Sequence, residues 1–211
     1  TSAVGEEYAN ANDLLPPLES LQYELGMKMA GQGWSVSSAL FRIERGATMV
    51  TEDNYLIQEG ISLYQGFEFS GALTVTENLS LYGDAMFLSA EYDKTSTANQ
   101  GNDVGGAPEQ QFTLQTNYNV SAVPGLTVNL GGKFHGKTAL DAANNWELPS
   151  YTLVYGGVSY TTTVADNELT LIGSVDNLFD KEYWAIGDSY GGGNMRIGEP
   201  RTFAVKVKMD F

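Results

Sequence analysis

Phe203-Ala-Val-Lys-Val-Lys-Met-Asp-Phe211 decides the period of this chain. Phe203, Val205, Val207, Met209 and Phe211 fall on one side, and Lys206, Lys208 and Asp210 on the other. Large apolar groups therefore oppose charges at a repeat of two, which a strand sorts and a helix scatters. The same sorting recurs upstream. Leu126, Val128, Leu130, Gly132 and Phe134 oppose Asn129, Lys133 and His135. Phe112, Leu114, Thr116, Tyr118 and Val120 oppose Gln111, Thr113, Gln115, Asn117 and Asn119. Tyr23, Leu25, Met27 and Met29 oppose Gln22, Glu24, Gly26 and Lys28. Carried along the chain, the pattern predicts about nine strands. They fall near residues 20–30, 34–45, 63–75, 78–92, 108–120, 125–136, 150–163, 167–178 and 201–211.

The connections sort by length. Short turns are expected at Ala30-Gly-Gln-Gly33, Val75-Thr-Glu-Asn78, Ser121-Ala-Val-Pro-Gly125 and Val164-Ala-Asp-Asn167. Long loops are expected near 46–62, 93–107, 137–149 and 179–200, in strict alternation with them. In a meander this places all short turns at one end and all long loops at the other. Strands longer than the usual five or six residues, with one apolar and one polar face, then predict an antiparallel transmembrane β-barrel with short periplasmic turns and long extracellular loops. A soluble sandwich also alternates, but its loops are not sorted by end.

Composition narrows the function. The 211 residues include no cysteine, one histidine (His135), 24 glycines and 12 tyrosines, with a net charge of −15. Thiolate chemistry and disulfides are excluded. The negative charge argues against nucleic acid, whose phosphates need a basic face. Mean hydropathy is −0.21, and no window approaches the roughly 20 apolar residues of a membrane helix. With no initiator Met and no signal peptide, the chain reads as a mature form or a fragment. Residues 1–19, with Gly5, Pro16 and Pro17, read as a loop on the long-loop side, whereas the last strand runs out on the short-turn side. A barrel with an odd strand count and one terminus at each end does not close, so the expectation is the C-terminal portion of a larger barrel.

Several strings resemble a known family. Asn177-Leu-Phe-Asp-Lys-Glu-Tyr-Trp184, then Gly198-Glu-Pro-Arg-Thr202 and a strand ending in Phe211, resemble the end of a TonB-dependent outer-membrane receptor. Leu15-Pro-Pro-Leu-Glu-Ser-Leu-Gln-Tyr-Glu-Leu-Gly-Met-Lys28, Ala39-Leu-Phe-Arg-Ile-Glu44, Gly66-Phe-Glu-Phe-Ser-Gly71 and Asn145-Trp-Glu-Leu-Pro-Ser-Tyr151 resemble its strand entries, in the family's order. The flavour is that of the siderophore-receptor branch. The resemblance implies a barrel of roughly 22 strands, of which this chain supplies the last nine or so. It implies import of a ferric siderophore through the outer membrane of a Gram-negative bacterium, with iron carried inside the ligand and no cofactor held by the chain. It implies as partners the remainder of the receptor (plug and earlier barrel strands), the TonB system, and outer-membrane lipid and lipopolysaccharide. Other cargoes (cobalamin, haem, an oligosaccharide) stay open within the class, and a small independent pore or adhesin outside it.

The candidate residues follow. Asn177 and Asp180 close a strand where it enters a loop, because short polar side chains bond nearby backbone groups. Phe179, Pro200 and Arg201 complete that motif, with an acidic partner expected for Arg201. Phe211 fits a recognition signal for barrel assembly, as the resemblance implies. Tyr55, Trp146, Tyr183, Trp184 and Tyr190 lie in the long loops, where aromatic faces bind apolar and cationic ligand groups or form an interfacial belt. His135 is expected as a solvated lumen histidine, since no Ser or Asp spacing marks a catalytic partner; the chain reads as an importer and not an enzyme. Tyr190-Gly-Gly-Gly-Asn194 lacks the Lys-Ser/Thr and helix of a phosphate loop. Glu52, Asp53, Glu59, Asp93, Asp103, Asp141, Glu147 and Asp188 crowd the loops without calcium-loop spacing, so no metal site is expected. An acidic mouth repels anionic complexes, so a neutral or cationic chelate such as a hydroxamate is expected over a catecholate.

Overall fold

Alternation of this kind needs a sheet with two unlike surroundings, and the computed structural model, which describes residues 2–95, 98–187 and 194–210, contains one. Its strands are β1 Ser20–Gly31, β2 Trp34–Val50, β3 Leu56–Thr76, β4 Leu79–Lys94 and β5 Gln110–Asn119. They continue with β6 Leu126–His135, β7 Tyr151–Val164, β8 Asn167–Asp176 and β9 Thr202–Asp210. Each pairs antiparallel with its chain neighbour, giving one nine-stranded sheet in strict sequence order. Among the described residues there is no helix.

The register shows what each face is for. Val207, Leu171, Tyr160 and Leu126 lie in one cross-strand row, and Val205, Gly173, Val158 and Val128 in the next. All belong to the apolar face, which is open to the surroundings; Val205 is 84% exposed. On this face of β4 the apolar run goes from Leu79 to Phe87. That is about 26 Å along a strand at ~3.3 Å per residue, or about 20 Å of height at a tilt near 40°. The height approaches the ~25 Å apolar band of an outer-membrane barrel.

Aromatic residues border this band on both sides. At the long-loop end Phe67 pairs with Phe87, and Phe112 with Phe134. The Phe87 and Phe112 rings meet edge-on at 5.2 Å, and Phe112 stacks on Phe134 at 5.6 Å. At the short-turn end the same face carries Trp34, Tyr118 and Tyr160, whose polar ring atoms suit a wet boundary. Just beyond the phenylalanines the face turns polar: Arg42 pairs with Glu44 at 3.0 Å and reaches Gln65 at 3.5 Å. The opposite face carries Gln115, Asn117, Asn129 and Lys133, as a water-filled interior requires.

Two expectations change. The long loop placed at 46–62 is mostly strand: β2 runs to Val50, β3 starts at Leu56, and only 51–55 turn. The two strands satisfy each other's backbone groups, from Gly46 with Ile61 to Val50 with Leu56, across a register irregularity after Ala47. The strict alternation of short and long connections therefore fails at its first member, although the sorting by end survives. The ribbon rises past Arg42 by about 26 Å at ~3.3 Å per residue. Residues 2–15, expected as plain loop, contain a short ladder of Ser2–Ala3 with Leu14–Leu15. They dock on the ribbon's tip, where the Asn10 amide donates to Leu56 O at 3.0 Å and its oxygen accepts from Leu56 N at 2.9 Å.

One turn constrains its residue type. Gly125 opens β6 with φ +84, and a Cβ there would collide with the Thr161 carbonyl. Gly125→Ala is expected to cost about 2 kcal/mol, since a left-handed, crowded position penalises any side chain. The measurement is the urea midpoint for loss of the folded, heat-modifiable band of the intact protein.

Candidate functional site

The outer connections are organised into three assemblies, and the candidate aromatic residues divide among them. In the first, residues 2–15 pack on the β2–β3 tip. Tyr55 sits at that tip, its N–H donating to Thr51 Oγ1 at 3.1 Å and its carbonyl accepting Thr51 N at 2.9 Å. Asn54, in a left-handed conformation (φ 61), donates to Glu7 O at 2.8 Å. Tyr55 thus occupies a fixed turn.

The second assembly joins the β4–β5 and β6–β7 loops. Asp103 N donates to Asn144 Oδ1 at 2.7 Å, and Asn144 Nδ2 returns to Asp103 O at 2.9 Å. Asn102 Nδ2 reaches Ala142 O at 2.9 Å, and Gly106 N reaches Ala139 O at 2.9 Å. The β6–β7 loop also folds on itself, pairing Thr138–Ala139 with Glu147–Leu148. Lys137 Nζ meets Glu147 Oε1 at 2.9 Å; this carboxylate holds the ammonium pKa above the usual lysine value. The result is a cross-braced shelf, with Val104 and Leu148 buried inside it. Between the shelf, the middle of β2 and β3 and the outer half of β4 lies an open cavity of about 750 Å³, lined by Phe41, Gly66, Leu88, Asp103, Glu109 and Glu147 among others. Trp146 stands on the shelf, its carbonyl accepting Leu140 N at 2.8 Å while the residue is 69% exposed.

The third assembly is the β8–β9 loop, and one asparagine closes it. Asn177 is only 5% exposed. Its Nδ2 donates to Lys181 O at 2.9 Å and to Glu199 O at 3.0 Å, while Oδ1 accepts Lys181 N at 2.8 Å. Asp180 adds a second tie, its carboxylate accepting Arg201 N at 2.8 Å. Both residues have positive φ, 49 and 54, which Asn and Asp tolerate better than most. The Arg201 guanidinium donates to Leu178 O at 3.4 Å and lies 6.0 Å from the Phe203 ring centre. Phe179 and Pro200 are exposed. Above this closure Trp184–Ile186 pairs with Met195–Ile197. Trp184 is exposed on that ribbon, whereas Tyr183 is half-buried beneath it.

The five aromatic candidates therefore do not converge on one point. Tyr55, Trp146 and the Tyr183–Trp184 pair belong to separate assemblies, while Tyr190 and Phe211 lie outside the described residues. Three of the loop acids are engaged: Glu59 pairs with Lys94 at 3.6 Å, Glu147 with Lys137, and Asp141 accepts Asn145 N at 3.0 Å. Among the described residues no three His, Asp or Glu side chains stand close enough to hold a metal ion. His135 lies 2.9 Å from Gln111 Nε2 and stacks on Tyr151. Sequence reasoning missed Asn144, Asn10 and Tyr151. The asparagines carried a weak signal, as polar residues at turn positions; Tyr151 carried none, because its height depends on the register across a long loop.

Residues 2–178 match the family described as TonB dependent receptor-like, beta-barrel. The chain belongs to this family. The ferrichrome receptor FcuA of Yersinia enterocolitica is 29% identical over 210 residues, covering 98% of this chain and 27% of that protein. The ferrienterobactin receptor of Escherichia coli K12 is 26% identical over 220 residues, covering 92% and 28%. Among solved structures, BauA, the ferric preacinetobactin receptor from Acinetobacter baumannii, aligns with a TM-score of 0.87 at 25% identity, over 100% of this chain and 32% of that one. The chain thus spans 27–32% of the length of these proteins. As a TonB-dependent receptor barrel segment, its apolar, aromatic-edged face is the lipid face and its polar face the lumen.

Proposed function

We propose that this chain forms part of the barrel wall of an outer-membrane receptor that imports a ferric siderophore into a Gram-negative bacterium. The observation carrying this reading is the run of ferric-siderophore receptors to which nearly the whole chain is similar, on a sheet whose lipid band and outer loops suit that role. The rest of the receptor supplies the earlier strands of a roughly 22-stranded barrel and the plug, through which the TonB system delivers energy. The outward face contacts lipid and, above the phenylalanine row, the polar part of lipopolysaccharide. No step breaks a covalent bond; the chain binds and admits its cargo, and iron travels inside the ligand.

Within this reading Trp146 is the first ligand contact, because it is an exposed ring on a braced shelf and loses little freedom on binding. The unpaired acids of the mouth select a neutral or cationic chelate. The test is uptake of radioactive iron by cells whose only siderophore receptor is the intact protein. A ferric trihydroxamate is expected to enter in preference to a ferric tris-catecholate, with Trp146→Ala weakening its binding about 5–10-fold. A winning catecholate overturns the charge argument. Failure to import any ferric chelate overturns the siderophore reading and returns cobalamin, haem and oligosaccharides to the front.

A further inference from the structure

Gln111, His135 and Tyr151 stand side by side on β5, β6 and β7, since the register pairs Gln111 with His135 and His135 with Tyr151. They share the lumen face with Lys133. Gln111 Nε2 is 2.9 Å from His135 Nε2, and the imidazole stacks on Tyr151 with centres 5.2 Å apart and planes 8° from parallel. Tyr183 ends the row, 4.4 Å from the Tyr151 ring and tilted by 33°. Unlike the other three, it comes from the β8–β9 loop. Its ring also lies against Gly198 on the opposite arm of that loop, where a Cβ would collide with it. Its oxygen accepts Glu199 N at 3.3 Å, and its carbonyl accepts Gly198 N at 2.8 Å.

We propose that Tyr183 is a positioning residue that anchors the outer β8–β9 ribbon to the lumen wall through Tyr151 and His135, and that this anchor sets how tightly the receptor retains its ferric chelate. The Asn177 closure ties the two arms of the loop to each other. The ring stack ties them to the wall. Trp184 follows the anchor directly and heads the ribbon, so where the ribbon stands depends on Tyr183 holding. Aromatic stacking suits this task, because it fixes a plane and a height without demanding a charged partner. The chelate half of the proposal rests on the siderophore reading; the anchor half does not.

The experiment uses the intact receptor in outer membranes, with trypsin as the probe of the ribbon. Arg196 lies in the ribbon and is exposed. Tyr183→Ala is expected to speed cleavage after Arg196 about tenfold while the heat-modifiable barrel persists; Tyr183→Phe, which keeps the ring, stays near wild type. His135→Ala falls between them, and His135→Phe restores protection because it restores the stack. For a ferric trihydroxamate the dissociation constant rises about tenfold in Tyr183→Ala and little in Tyr183→Phe. If Tyr183→Ala prevents assembly, Tyr151→Leu and His135→Ala carry the same cleavage test. Unchanged cleavage in the alanine variants overturns the anchor, as does a Phe variant as sensitive as the Ala one. Faster cleavage with unchanged chelate retention overturns the link to the ligand. A wild-type receptor that binds no ferric chelate removes the siderophore reading, and the cleavage rates still decide the anchor.

Discussion

Asn177→Ala is expected to abolish most of the folded receptor. The change removes two donors and one acceptor that serve the backbone of residues 181 and 199 inside a nearly closed space. Each of these part-buried backbone groups left without a partner costs about 1 kcal/mol, the low end of the range for a lost hydrogen bond. Alanine is also poorer than asparagine at the left-handed φ of 49, by roughly 1 kcal/mol. The sum, about 3–5 kcal/mol after allowing for relaxation, is a large share of a typical protein's stability. Asn177→Gly separates the two terms: it relieves the backbone and restores no hydrogen bond, so it should recover only about 1 kcal/mol. Asn177→Asp keeps the acceptor for Lys181 N but turns an oxygen toward two carbonyls, and should resemble Ala. Semi-native electrophoresis of outer membranes reads the folded fraction directly. Wild-type amounts of Asn177→Ala would show that the closure contributes nothing.

The second large effect separates the two faces at neighbouring residues. Leu114 is 58% exposed on the apolar face near mid-height, opposite Gly83 and Gly132. An arginine there meets hydrocarbon, at about 2–4 kcal/mol near the bilayer midplane. Thr113, one residue earlier, points into the lumen and lies across from Asp84. An arginine there meets water, with the Asp84 carboxylate on one side offsetting the Lys133 ammonium on the other. Leu114→Arg should therefore sharply reduce assembled receptor in the outer membrane, while Thr113→Arg leaves it near wild type. Equal behaviour of the two variants would mean that the faces have been assigned wrongly.

The contrast between these experiments marks what could be read from the chain. Leu114 and Thr113 differ in the plainest possible signal, an alternation set by the pleat, and β1, β5, β6 and β9 carried it plainly. Phe203 to Met209 needed no partner to be recognised as one face. The outer ends were harder because their order comes from hydrogen bonds between distant segments. Asn177 was legible as a residue that closes a turn, but Glu199, which shares its amide, was not, since 22 positions separate them. The ribbon above Arg42 was misread because its strands lean on each other and need no apolar row. Of the aromatic candidates, the sequence could name Tyr183 and Trp146 as loop residues. It could not show that one is wedged against the wall while the other stands free.

The unbroken order of the sheet has a consequence for biogenesis. Because every strand lies beside its chain neighbour, no strand must wait for a distant segment, and each new hairpin can join as it arrives. Each arrival covers one exposed rim and presents another, so the number of open rims stays constant as the wall widens. The penalty of an unsatisfied rim in lipid is therefore carried through the whole growth process and relieved in one final step. In a wall that grows this way, the energetic reward for finishing is concentrated at a single seam.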